Sequence, residues 1–218
     1  MASASPKGAV DSAKYASTVC QRFQKMPILS GFTFMDCTSL ESITIPEGVG
    51  TIGPNAFYGC TSLSNVTIPK SVYRMYSGAF AYCTSLKTID VSKDNLSFHM
   101  EGNCLIESRK NRLVWGNELS LIPKNVEIID SSAFDGCSTL TEITIPDSVK
   151  EIGTSAFNDC RSLSKIVIPK SVEIMGRTVF RQCPNLTIYC EATEKPVKWD
   201  PNWNQSPDHP VVWGYTGE

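Results

Sequence analysis

Nine cysteines and two histidines are the residues of this 218-residue chain with the most chemistry to offer. A thiolate ligates soft metals, attacks carbonyls or oxidises to a disulfide, and an imidazole serves as its base. Metal and dithiol redox sites draw on cysteines in close pairs, yet no Cys-x-x-Cys occurs anywhere. Nucleophilic catalysis needs a base beside the thiol, and the only histidines are His99 and His209. Cys104 stands five residues from His99, but no motif for an orienting acid or an oxyanion hole surrounds them. Glycine-rich phosphate loops, HExxH and EF-hand patterns are absent as well. The chain is therefore expected not to be an enzyme and to carry neither cofactor nor metal. One further cluster, Trp199, Trp203, Trp213 and Tyr215, has two readings. Its ring faces would suit the C–H groups of a carbohydrate, or they would cover an apolar end of the fold.

What positions these residues is a repeat. Six of the cysteines stand at 37, 60, 83, 137, 160 and 183, so the steps between them are 23, 23, 54, 23 and 23 residues. The segments CTSLESITIPEGVGTIGPNAFYG from Cys37, CTSLSNVTIPKSVYRMYSGAFAY from Cys60, CSTLTEITIPDSVKEIGTSAFND from Cys137 and CRSLSKIVIPKSVEIMGRTVFRQ from Cys160 share one form, CxSLxxIxIPxxVxxIxxxAFxx. Within the first, Leu40, Ile43 and Ile45 are apolar while Ser42 and Thr44 fall on the opposite face of a short strand. Pro46 ends that strand because it has no N–H for a ladder. Val49 and Ile52 turn inward again, and Ala56-Phe57 carry the chain back to the next Cys.

One such coil cannot bury its own apolar face, so the coils must stack about 4.8 Å apart with equivalent residues in columns. Phe34, Phe57, Phe80, Phe134, Phe157 and Phe180 are expected to form one aromatic spine beside Ala56, Ala79, Ala133, Ala156 and Val179. The repeated cysteines are read as a column of free thiols acting as small hydrophobes. Side chains that project the same way give a poor disulfide torsion. Cys20, Cys104 and Cys190 lie outside the column, and a pairing of Cys104 or Cys190 stays open.

The repeated unit resembles the BspA-like branch of the leucine-rich repeat family, from about Met26 onward. The resemblance implies a solenoid with short parallel strands on one face, loops and turns on the convex side, and little helix. It also implies an adhesion or binding module of a cell-surface or secreted protein, and it names no ligand.

The division expected is a segment 1–25, a solenoid 26–182 and a Trp- and Pro-rich cap 183–218. Val10, Ala13, Ala16, Val19, Cys20 and Phe23 have helical spacing, suited to a short helix over the open end. Between Cys83 and Cys137 lie 31 extra residues, with 103–107 and 112–115 spaced as a hairpin, either a tolerated insertion or a functional projection. Met1–Gly8 lacks a long apolar stretch, so no secretory signal is visible in the chain.

With 20 basic and 22 acidic residues and a formal charge of −2, nothing favours nucleic acid as a partner, and no apolar run is long enough for a membrane span. Four Asn-x-Ser/Thr sequons, at Asn65, Asn95, Asn185 and Asn204, neither establish secretion nor exclude it. Recognition is left to the outward strand positions, which stacking should line into a continuous patch. One column is Ser42, Asn65, Thr88, Glu142 and Lys165, and the next is Thr44, Thr67, Asp90, Thr144 and Val167. Lacking Trp, Tyr and Arg anchors, this face is expected to bind a protein or glycan weakly or multivalently. The competing reading is a structural spacer with no ligand of its own.

Overall fold

The computed structural model describes residues 27–205 and 209–217. The helix expected over 10–23, and Cys20 with it, lie outside the described residues. Fifteen strands follow one another among those described: β1 (Ile28–Leu29), β2 (Ser42–Thr44), β3 (Thr51–Ile52), β4 (Asn65–Ile68), β5 (Arg74–Met75), β6 (Thr88–Val91), β7 (Phe98–Glu101), β8 (Cys104–Glu107), β9 (Arg112–Trp115), β10 (Ile128–Ile129), β11 (Glu151–Ile152), β12 (Lys165–Ile168), β13 (Ile174–Met175), β14 (Thr187–Cys190) and β15 (Val211–Trp213). The one helical element among them is a 3-10 turn at Ser108–Lys110.

Each regular coil has three sides. The first is the strand after Cys-x-x-Leu, which pairs in parallel with its equivalent one coil on, as in Ser42↔Asn65 and Asn65↔Thr88. After the Ile-Pro corner a two-residue strand makes the second side, with Thr51↔Arg74 and Glu151↔Ile174. The third side is a turn that places Ala-Phe inward and stacks on its neighbour through bonds such as Phe57 N–H to Ala79 O, 2.9 Å. That turn needs left-handed backbone twice per coil, at Asn55 (φ 52°) and Gly59 (φ 71°) and again at Ser155 (φ 56°) and Asp159 (φ 57°).

Burial follows the columns. Leu63, Val66, Ile68, Val72, Ala56 and Phe57 are all fully enclosed. Rings stack from Phe34 to Phe57 to Phe80 at 5.2 Å each, and again from Phe134 to Phe157 at 5.0 Å and on to Phe180 at 5.8 Å. The single spine expected from the sequence is thus two spines with a break between Phe80 and Phe134. The break is the work of residues 92–122. Here β7, β8 and β9 form an antiparallel sheet, and β9 continues in parallel onto β10. Leu105, Val114, Trp115 and Phe98 belong to the core of the first coils, while Cys104, Ile106 and Leu113 belong to the core of the later ones. Alternate side chains of a strand point to opposite faces, so this hairpin is a partition buried on both faces. It is therefore not a projection.

Beyond residue 182 the coil order continues. β14 pairs with β12 from Lys165↔Thr187 to Ile168↔Cys190, and β15 adds to β14. Trp203 then meets Phe180 edge-on at 6.1 Å, and Trp199 donates its indole N–H to Val172 O at 3.1 Å. No helix among the described residues is long and apolar enough to cross a membrane.

Candidate binding face

The described thiols do not build a reactive centre. All eight described cysteines are free. From Cys60 onward each S–H of the column donates to a carbonyl of the coil before, as in Cys60 to Phe34 O at 3.0 Å, Cys160 to Phe134 O at 3.3 Å and Cys183 to Phe157 O at 3.1 Å. Burial pushes the Cys104 thiol up to about 11 and Cys137 and Cys190 to about 12, far from thiolate at neutral pH. Cys104 and His99 are not brought together, because the thiol is buried and contacts Gly102 O and Leu121 O. His99 instead has Nδ1 2.9 Å from Ser108 Oγ and Nε2 3.6 Å from a Glu101 carboxylate oxygen. This Ser-His-Glu trio is exposed, and the Ser108 N–H is taken by Ser97 O at 2.9 Å and so is not available to an oxyanion. His209 is buried, with Nδ1 2.8 Å from Asn204 Oδ1.

The outward strand positions fall into two sets. Ser42, Thr44, Asn65, Thr67, Thr88 and Asp90 share the sheet β2-β4-β6, and Lys165 and Val167 share β12-β14-β15 with Thr144 bridged to Val167. Glu142 is exposed two residues before that bridge. Between the two sheets β6 and β7 are each the last strand of their own sheet. An open cleft of about 370 Å³ lies there, walled by Ile89, Asp90, Phe98 and Met100 among others. The continuous patch is thus divided by the edge of the partition, because the extra residues replace one regular first-side strand.

The first set is polar and weakly tied, with Asn65 Nδ2 3.4 Å from an Asp90 carboxylate oxygen. The second set is built more firmly. Lys165 Nζ sits 5.0 Å from the Tyr189 ring centroid and 5.3 Å from that of Tyr215, and it donates to the Tyr215 hydroxyl at 3.3 Å. The two rings are 4.8 Å apart. Ring faces and a hydroxyl, rather than a carboxylate, hold this ammonium, which leaves donors and full charge for a ligand. Tyr189 and Tyr215 are rings that the sequence reading did not place on this face, Tyr215 having been grouped with the tryptophans. The signal was the alternation Leu186-Thr187-Ile188-Tyr189-Cys190, one more strand of the series with Tyr189 pointing outward beside Val167. Trp199 and Trp203 are buried and Trp213 half-buried against them at 5.9 and 6.4 Å, so these rings close the stack and offer no sugar platform. The sequon at Asn95 is closed too, for its buried amide N–H groups donate to Pro69 O and Val72 O.

Comparison with known proteins agrees with this architecture. The profile of the BspA type leucine rich repeat region matches in six copies, over residues 22–109 and 117–192. Among solved structures, a leucine-rich repeat protein from Eubacterium ventriosum is 26% identical at a TM-score of 0.67, covering 77% of this chain and 46% of its own. The pneumococcal vaccine antigen PcpA is 26% identical at 0.60, covering 73% and 46%, and a leucine-rich repeat protein from Bacteroides ovatus is 25% identical at 0.57, covering 88% and 48%. The chain thus spans a little under half the length of each. No curated protein matches it.

Proposed function

This chain belongs to the BspA-type leucine-rich repeat family, and from that premise we propose that it is a non-enzymatic recognition module of a cell-surface or secreted protein, docking a protein or glycan ligand on its exposed strand face. The observation that carries the reading is the Lys165 ammonium held between Tyr189 and Tyr215. The contact itself stabilises the sheet by only about 0.5 to 1 kcal/mol at an exposed site, and it offers a ligand a charge whose ordering cost is already met. The polar first set supplies additional weak contacts, so affinity is modest at one site and grows with multivalent presentation. The similarity to the vaccine antigen PcpA supports the surface assignment. The test is an array of glycans and purified extracellular proteins probed with the chain and with its Glu142→Lys, Lys165→Glu double variant. Partners retained by the first and lost by the second support the module. A chain that retains no partner, even when presented multivalently, is a spacer.

A further inference from the structure

The first-side ladder lacks one rung, and both sides of the gap are strand edges. β6 ends the sheet β2-β4-β6, and β7 ends its own sheet across the cleft of about 370 Å³. Ser92 N–H donates back to Ile68 O at 2.9 Å, so the backbone groups of Thr88, Asp90 and Ser92 face β4. Those of Ile89 and Val91 then face the cleft, and no described group bonds them. On β7, Ser97 O accepts from Ser108 N–H at 2.9 Å, which turns His99 and Glu101 toward β8 and Phe98 and Met100 toward the cleft. Phe98 N–H is taken by Asn95 Oδ1 at 2.9 Å, whereas the Phe98 carbonyl and both backbone groups of Met100 have no described partner.

Donors and acceptors alternating at strand spacing on two facing edges are matched by one chemistry, the backbone of an extended polypeptide. Because the gap has a wall on each side, it admits a single extended segment and not the sheet edge of a second folded copy. The rim says which side chains suit. Asp90 is exposed, its carboxylate meets Asn65 Nδ2 at 3.4 Å, and no described lysine or arginine pairs with it. Of the cations lining the cleft, Lys93 follows past the end of β6, and His99 turns to Ser108 and Glu101. Leu119 and Leu121, two residues apart, are 60% and 77% exposed, and Leu121 N–H is tied to Gly102 O at 2.7 Å just past β7. An aliphatic rim favours a polypeptide over a sugar.

We propose that the gap between β6 and β7 takes one extended segment of a partner polypeptide as the missing rung, with a basic residue of that segment beside Asp90. The site is separate from the Lys165 clamp and does not rest on it.

The probe is a fluorescein-labelled peptide that copies the first-side strand with lysines at its outward positions, Leu-Ser-Lys-Ile-Lys-Ile-Pro, titrated with the full chain and read by fluorescence anisotropy. One control is the same peptide N-methylated at both lysines, which removes the N–H groups that would face β6. The other is Leu-Ser-Glu-Ile-Glu-Ile-Pro. Val91→Pro deletes one cleft-facing N–H and spares the bonds to β4, and Asp90→Lys reverses the rim charge. Melting temperatures verify that both variants fold. The expected result is saturable binding of the lysine peptide, weakened about tenfold or more by N-methylation and by Val91→Pro, with Asp90→Lys preferring the glutamate peptide. Lys165→Glu should leave this binding unchanged, which separates the cleft from the clamp. Absence of saturable binding, or equal binding of the N-methylated peptide, overturns the proposal. Self-association of the parent in sedimentation, abolished by Val91→Pro, overturns it too, since the edge would then belong to a second copy.

Discussion

Arg112 donates to Asp130 across the seam of the molecule, Nη1 to Oδ2 at 2.9 Å. The same guanidinium donates to Glu107 at 2.7 Å through Nε and to Met75 O at 3.3 Å through Nη2. Ser77 Oγ lies 3.1 Å from Asp130 Oδ1. One arginine therefore joins the first coils, the partition and the later coils. Planar, five-donor chemistry suits it to that role where lysine would satisfy fewer partners. Burial nonetheless raises the Asp130 carboxyl above its ordinary value, against the lowering effect of Arg112.

Replacing Arg112 with Met strands the largely buried Asp130 carboxylate and leaves Glu107 with Lys110 as its one cationic partner, so denaturant unfolding at pH 7 should show a loss of about 3 to 5 kcal/mol. The deficit should shrink near pH 4, where the stranded acids take up protons. An equal deficit at both pH values would mean that the arginine acts through packing alone.

Phe157 is enclosed between Phe134 and Phe180. Truncation to Ala should cost about 3 to 5 kcal/mol, read as a fall in melting temperature. A melting temperature unchanged from the parent would remove the ring from the core.

Asp135 gives the chain an acid-side dependence. Burial lifts its carboxyl to about 6, outweighing hydrogen bonds from Asn158, Ser132 and Tyr82. Because the folded value exceeds the unfolded one, its contribution is fully present below about pH 3.8 and is lost as pH rises through about 6. Asp135→Asn should thus gain stability relative to the parent between pH 3.5 and 7, by something on the order of 3 kcal/mol. A difference independent of pH would contradict this.

The tail from residue 191 brings Trp199 and Trp203 onto the Phe180 end of the core. Deleting 191–218 should leave that end and the edge of β14 open, giving self-association in sedimentation or light scattering. A stable monomer would show that the tail is dispensable for closure.

Much of this was legible because the repeat is written in core residues. The 23-residue step of Cys, Leu, Ile-Pro and Ala-Phe names the columns, and burial at those positions leaves few alternatives. The turns were less legible. Their left-handed positions are filled by Phe32, Tyr82, Thr178 and Gln182 as well as by Gly and Asn, so stacking imposes a backbone that local preference does not announce. The partition was opaque for a different reason. Leu105 and Ile106 are adjacent and both buried, and only the presence of a second core beyond the hairpin explains that. Lys165 was readable as an outward position, but its clamp required Tyr215, 50 residues on in a segment outside the repeat.

The most direct test of recognition on the strand face is a set of dissociation constants, by surface plasmon resonance, for the strongest ligand found on the array. The parent is compared with Lys165→Glu and Tyr189→Ser on the strand face, and with Arg161→Glu beside Asp159 in the turn after Cys160. Each strand-face change should weaken binding about tenfold or more while Arg161→Glu leaves it unchanged. Full affinity in both strand-face variants, with loss only in Arg161→Glu, would contradict it.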